Sequence, residues 1–223
     1  MISLINVNKK FNDLEILRNF NISFEENKIT CLFGPSGVGK TTIANISAGL
    51  TPIDSGMING MENAVYSYVF QDPRLLPWYS VYNNIDFVLK DVYDDEKRVN
   101  IINSYINLVE LNGYEHYKPN ALSGGMCQRV SLARAFAYPS NFLILDEPFK
   151  GLDLKLKNEM VSLFKMLWLE SKRTVLFITH NVDEATDLSD TIYIINQRPV
   201  EIIEKINVEK VGKEKIKNIL TAI

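Results

Sequence analysis

Gly34, Gly39, Lys40 and Thr41 fill the fixed positions of G-x-x-x-x-G-K-[ST] within Phe33-Gly34-Pro35-Ser36-Gly37-Val38-Gly39-Lys40-Thr41-Thr42. That spacing suits the holding of a polyphosphate. Glycines let successive backbone N–H groups turn inward without interference from a Cβ. Lys40 can then reach the β and γ phosphates, and the Thr41 hydroxyl can take one Mg²⁺ position. A second group, Asp146-Glu147, ends the apolar run Phe142-Leu143-Ile144-Leu145. Asp146 suits a Mg²⁺ held through its water shell, and Glu147 suits the polarising of an attacking water. His180 follows Thr174-Val175-Leu176-Phe177-Ile178-Thr179, which reads as another buried strand. A lone histidine is usually structural, but beside strands that carry Asp146-Glu147 and Lys40 it reads as a γ-phosphate contact. Ser123-Gly124-Gly125 opens a helical pattern and is either a simple Ser N-cap or a second anion cradle. A phosphate loop and a second cradle in one chain suggest that two chains share each nucleotide.

The elements that must position these groups can be read from local pattern. Ile29-Thr30-Cys31-Leu32-Phe33 is a short buried strand, and Thr42 to Gly49 a helix closed by Gly49, so the phosphates meet a helix N-terminus. Residues 2–8 and 20–24 alternate as strands around an Asn12-Asp13 turn. Phe11 stands alone in a polar run, as a strand-end aromatic folded onto the sheet or as a platform for adenine. Met57-Ile58 reads as a strand bracketed in hairpin fashion by Asp54-Ser55-Gly56 and Asn59-Gly60. Residues 65–70 form a strand ending at Gln71, whose side-chain carbonyl can meet a metal or a water. Pro73-Arg74-Leu75-Leu76-Pro77-Trp78-Tyr79 is either a buried connector or a partner-docking surface.

Helical spacing follows at 80–91 and 95–111, then from Ser123 to about 137. Lys150-Gly151-Leu152-Asp153 turns into an amphipathic helix bearing Leu156, Met160, Leu163-Phe164 and Leu167. Asn181 caps a helix with Glu184 at the capping-box position. The tail reads as strands at 191–196 and 200–206 and one short terminal helix.

Composition excludes little. The 223 residues suit one large domain or one and a half. Apolar content of 46% and charged content of 23% are ordinary for a soluble globular chain. The net charge of −3 argues for neither nucleic acid nor an anionic membrane surface. No apolar run exceeds four residues, so no bilayer-spanning segment is expected. The N-terminus lacks the basic start and cleavage site of a signal peptide. Cys31 and Cys127 lie far apart, as free thiols of a reducing cytoplasm.

Taken in order, the phosphate loop at 34–42, Gln71, Leu122-Ser123-Gly124-Gly125, Asp146-Glu147 and His180 resemble the five motifs of ABC transporter ATPase subunits, over nearly the whole chain. The resemblance implies an α/β fold, a P-loop NTPase (RecA-like) core with an N-terminal antiparallel β subdomain and an inserted α-helical subdomain. Roughly 1–78 and 135–223 would form the core and 79–134 the helical part. It implies ATP and Mg²⁺ as ligands: Phe11 stacking on adenine, residues Gly34 to Thr42 (Gly34, Pro35, Ser36, Gly37, Val38, Gly39, Lys40, Thr41, Thr42) around the phosphates, and Thr41, Gln71 and Asp146 at the metal. Catalysis would fall to Glu147, His180, Gln71 and Lys40. Ser123, Gly124, Gly125 and Gln128 would bind the nucleotide of the opposite subunit, with Asp153 at the seam of a homodimer.

The loop at 70–78 is similar to that of importers for nitrate, taurine and sulfonates, with importers of thiamine-precursor pyrimidines close by. This implies a permease docking near Pro73–Tyr79, an extracytoplasmic solute-binding protein acting indirectly, no nucleic acid, and a place at the cytoplasmic face of the membrane. Lys150 departs from the small residue expected before Gly151. Two rival readings are a soluble ABC-type ATPase acting on ribosomes or DNA and a non-enzymatic nucleotide-binding scaffold.

Overall fold

The computed structural model describes residues 1–221; the last two residues of the expected 135–223 segment lie outside them. In chain order the chain forms β1 (Ile2–Phe11), β2 (Leu14–Phe24), β3 (Ile29–Phe33), α1 (Lys40–Ser47), β4 (Ser55–Asn59) and β5 (Tyr66–Val69). The middle is helical: α2 (Val81–Asp86), α3 (Asp95–Leu108) and α4 (Gly124–Ala137). Then come β6 (Phe142–Asp146), α5 (Leu154–Glu170), β7 (Thr174–Thr179), α6 (Val182–Leu188), β8 (Thr191–Asn196), β9 (Glu201–Asn207), α7 (Val208–Val211) and α8 (Lys213–Thr221). The chain divides into two compact units, the first made of Met1–Tyr66, Asn141–Glu147 and the chain from Lys172 onward, the second of Ser67–Ser140 and Pro148–Ser171.

In the first unit, β1 pairs antiparallel with β2 across the Asn12-Asp13 turn, with Phe11 opposite Leu14. On its other edge β1 pairs with β4, Ser3 opposite Asn59. The Met57-Ile58 segment is therefore no hairpin. Gly56 is needed for a different reason: a Cβ there would stand 2.5 Å from the Asn6 carbonyl oxygen. The register of this sheet shifts near Asn6 and Asn19, both in left-handed backbone. Asparagine side chains take up the freed amides, Asn6 N–H donating to Asn21 Oδ1 at 3.0 Å and Asn19 N–H to Asn8 Oδ1 at 2.9 Å.

The unit's second sheet carries β6-β7-β3-β8-β9 in that order, parallel except for β9, which pairs antiparallel with β8. β3 and β7 are buried along their whole lengths, which is why they read as near-continuous apolar runs. The register sets Phe33 beside Thr179 and Asp146 beside Ile178. The residues after Phe33, Leu145 and Thr179 thus emerge together at the C-terminal edge, where open α/β sheets bind ligands. Past β9 the single expected helix is two, α7 and α8, parted by Gly212 at φ +84°.

The second unit is mainly helical, and side-chain caps start each of its α-helices. Ser80, Asp94, Ser123 and Asp153 accept from the N–H groups of Asn83, Lys97, Met126 and Leu156. Phe136 and Phe164 pack edge to face at 6.0 Å in its core. Asn84, fully buried, bonds both ways with Leu76: Oδ1 accepts from Leu76 N–H at 2.8 Å and Nδ2 donates to Leu76 O at 3.2 Å. Nδ2 also lies within reach of the Tyr79 and Ser80 carbonyls. Arg134 donates to the Pro73 and Arg74 carbonyls. These bonds fix the 73–80 loop from inside, while Trp78 stands 64% exposed.

Candidate functional site

The first unit gathers Lys40, Thr41, Asp146, Glu147 and His180 at the C-terminal edge of its parallel strands. Thr41 donates its hydroxyl to Asp146 Oδ2 at 2.7 Å. Two hard oxygen donors side by side fit Mg²⁺, which keeps most of its shell as water and phosphate oxygen. Buried Lys40 donates to the Gly34 and Pro35 carbonyls, each at 2.8 Å, so its ammonium lies in the mouth of the loop. It stands 3.8 Å from Glu147 Oε1. The same oxygen lies 3.4 Å from His180 Nδ1.

Glu147 is buried and held at φ +48°, a region a side chain of its kind rarely enters. Its N–H donates to the Ile178 carbonyl at 3.0 Å, and this bond to the strand end maintains the turn. The turn brings its carboxylate up to Lys40 and His180, with Asp146 on Thr41. One acid lies on a magnesium-type oxygen pair and one between a lysine and a histidine, an arrangement suited to phosphoryl transfer to water.

The loop itself is shaped by its neighbours. Gly39 has φ +135°, and a Cβ on it would meet Val200 Cγ2 at 2.8 Å and Ile16 Cγ2 at 2.9 Å. A Cβ on Gly34 would stand 2.4 Å from the Ile195 carbonyl oxygen. Val38 is buried, while Pro35, Ser36 and Gly37 are exposed. Gly37, Gly39, Lys40, Thr41, Thr42 and Glu147 line a recess of about 180 Å³, together with Ile16 and Arg198, which the sequence did not single out. No local pattern marks those two; they reach the recess through strand pairing far from the loop in sequence. Phe11 is 46% exposed at the end of β1. The Lys9 ammonium lies 5.2 Å from the ring centroid and 2.8 Å from Asp54.

The capping box at α6 differs from expectation. Asn181 Oδ1 caps Glu184 N–H at 3.0 Å as predicted, but the Glu184 carboxylate accepts from the buried Thr179 hydroxyl at 2.6 Å. Thr179 Oγ1 in turn takes the Asn181 N–H at 3.0 Å. The chain either side of His180 is thereby fixed.

The remaining expected residues belong to the second unit. Gln71 and Ser123 are exposed, and Ser123 Oγ accepts from Met126 N–H at 3.3 Å. Its two glycines differ. A Cβ on Gly124 would meet nothing within 4 Å, whereas on Gly125 it would stand 2.7 Å from Leu156 Cδ2. Gly125 thus has a packing reason that the sequence did not show. Gln128 departs from its assignment as a nucleotide contact. It is buried, and its Nε2 donates to the Pro148 carbonyl at 2.6 Å, so its side chain is spent on the residue that follows Glu147. Asp153 is exposed and caps α5, Oδ1 accepting from Leu156 N–H at 3.0 Å.

The sequence profile described as ABC transporter matches residues 17–150. The chain is 38% identical over 211 residues to the aliphatic sulfonates import ATP-binding protein SsuB of Zymomonas mobilis, covering 92% of this chain and 86% of that one. It is 38% identical over 206 residues to an uncharacterized ABC transporter ATP-binding protein of Methanocaldococcus jannaschii, covering 89% and 77%. Among solved structures it is similar to a dimeric ATP-binding cassette in a post-hydrolysis state bound to ADP and Pi, with TM-score 0.80, 28% identity and coverage of 93% and 99%.

Proposed function

The chain belongs to the ABC transporter family as an ATP-binding, ATP-hydrolysing importer subunit, and from that premise we propose how its residues divide the work. Lys40 and the amides of residues 34–42 hold the phosphates, and Phe11 stacks on the base. Thr41 and Asp146, joined by Gln71, are the residues that hold Mg²⁺, which when bound neutralises charge on the phosphates. Glu147 draws a proton from the attacking water, and His180, 3.4 Å from its carboxylate, contacts the γ-phosphate. Gly34 to Thr42 of one copy face Ser123, Gly124 and Gly125 of a second across the nucleotide, with Asp153 at the seam. The subdomain division at roughly 1–78, 79–134 and 135–223 is part of this reading.

Closure of that pair drives a permease docked at Pro73–Tyr79 and on the helical subdomain. The chain would sit as a peripheral protein on the cytoplasmic face, importing a small solute of the sulfonate, nitrate or taurine kind, or a thiamine precursor, delivered by an extracytoplasmic binding protein. Importers among its relatives favour transport over the rival reading as a ribosome- or DNA-acting ATPase. Among the described residues no helix is long and apolar enough to cross a membrane.

The observation that carries the hydrolytic assignment is Glu147 Oε1 lying between Lys40 and His180, beside the Thr41–Asp146 pair. Glu147→Gln keeps the shape and removes the base. Phosphate release should fall about 10²- to 10⁴-fold, with ATP still bound and the pair of chains accumulating on size exclusion. Release at the parental rate would remove Glu147 from the mechanism.

A further inference from the structure

The turn joining β8 to β9 lies on the phosphate loop, and both its ends are fixed there. The Ile195 carbonyl oxygen occupies the space beside Gly34, and the Val200 methyl that beside Gly39. Val200 N–H also donates to the Ile16 carbonyl at 2.8 Å, tying the turn to β2. Between these two anchors the turn carries Arg198 over the loop. Its guanidinium Nη2 donates to the Gly37 carbonyl. Arg198 also lines the same recess as Lys40, Thr41 and Thr42.

We infer that Arg198 is a nucleotide-binding residue, a second cation fixed at the phosphate loop that contributes to the affinity for polyphosphate. This rests on reading the loop as the ATP site. A guanidinium presents five N–H donors in a planar fork suited to phosphate oxygens. Gly37 accepts from one nitrogen of that fork, which sets the guanidinium against the loop. Lys40 supplies a positive charge deep in the loop, and Arg198 supplies one at its exposed outer wall. Fork and charge are separable. Arg198→Gln loses both the charge and the reach of Nη2 to the Gly37 carbonyl, whereas Arg198→Lys keeps the charge without the fork.

The test is titration of the full chain with ATP, ADP and adenosine, at low salt and at about 0.5 M, where exposed charges are screened. Arg198→Gln should bind ATP about tenfold more weakly at low salt, the low end for a charge-assisted hydrogen bond at an exposed site. The loss should be smaller for ADP, negligible for adenosine, and reduced at high salt. Arg198→Lys should retain most of the affinity, and thermal melting without nucleotide should be the same for all three chains. Parental ATP affinity in Arg198→Gln would overturn the inference, as would a loss equal for ATP and adenosine and indifferent to salt. Failure of the parental chain itself to bind ATP would instead refute the reading of the loop.

Discussion

Gly125→Ala separates packing from ligand binding at the start of α4. The added methyl would lie 2.7 and 2.8 Å from the two Leu156 methyl carbons, so one of the two side chains must shift. Overpacking of this kind costs about 1–3 kcal/mol. Replacing glycine by alanine inside a helix returns about 1 kcal/mol. The net loss is about 0–2 kcal/mol, a fall in Tm of no more than about 8 °C at roughly 2–4 °C per kcal/mol. Gly124→Ala adds its methyl to open space and should not destabilise. Leu156→Ala removes the obstructing branch, so the double variant with Gly125→Ala should show a favourable coupling of about 1–2 kcal/mol in a denaturation cycle. ATPase rate measured on the same four chains then tells the roles apart. If packing is the whole reason for Gly125, rate returns with stability in the double variant; if Gly125 also faces a nucleotide, stability returns alone. A coupling within about 0.5 kcal/mol of zero, or equal Tm shifts for Gly124→Ala and Gly125→Ala, would refute the steric argument.

Asn84→Ala should cost about 2–4 kcal/mol, because it removes a buried amide and leaves Leu76 N–H without its acceptor. The 73–80 loop should become the first site of limited proteolysis, with ATP affinity of the isolated chain unchanged; an equally resistant loop would contradict the anchoring role. Burial pushes the Cys31 thiol from 9.0 up to about 12. The unfolded thiol ionises above pH 9 while the folded one keeps its proton, so this stability is full below pH 9 and declines as pH rises toward 12. Urea unfolding should show the stability difference between the parent and Cys31→Ala narrowing by about 1.4 kcal/mol per pH unit above 9, and a constant difference from pH 8 to 10 would show that the folded thiol ionises normally.

The parts of the site legible in sequence were those whose chemistry and geometry are local. Strand, glycine turn, Lys40-Thr41 and helix follow one another within twenty residues, and strand-end acids mark Asp146-Glu147. Side chains that answer to distant neighbours were not legible. Nothing around Arg198 announces that its turn rests on Gly34 and Gly39. Gly125 looked like half of an anion cradle because Leu156 lies 31 residues on. Glu184 fitted a capping box by spacing, yet the Thr179 hydroxyl, two residues before the cap, took its carboxylate. β4 was legible as a strand but not its pairing with β1, since the glycines that permit that approach also spell a tight hairpin.

Strand order also bears on how the polypeptide comes off the ribosome. β3, which delivers the phosphate loop, has β7 and β8 as its neighbours, and Thr174 is made about 140 residues after Phe33. At about 5–20 residues per second, this mainly apolar strand waits about 7–30 s with both hydrogen-bonding edges open. An unpaired edge of that composition recruits other strands, so the nascent chain passes through an aggregation-prone interval that chaperone shielding of residues 29–33 would relieve. A segment that ends up buried along its whole length is thus left open during synthesis.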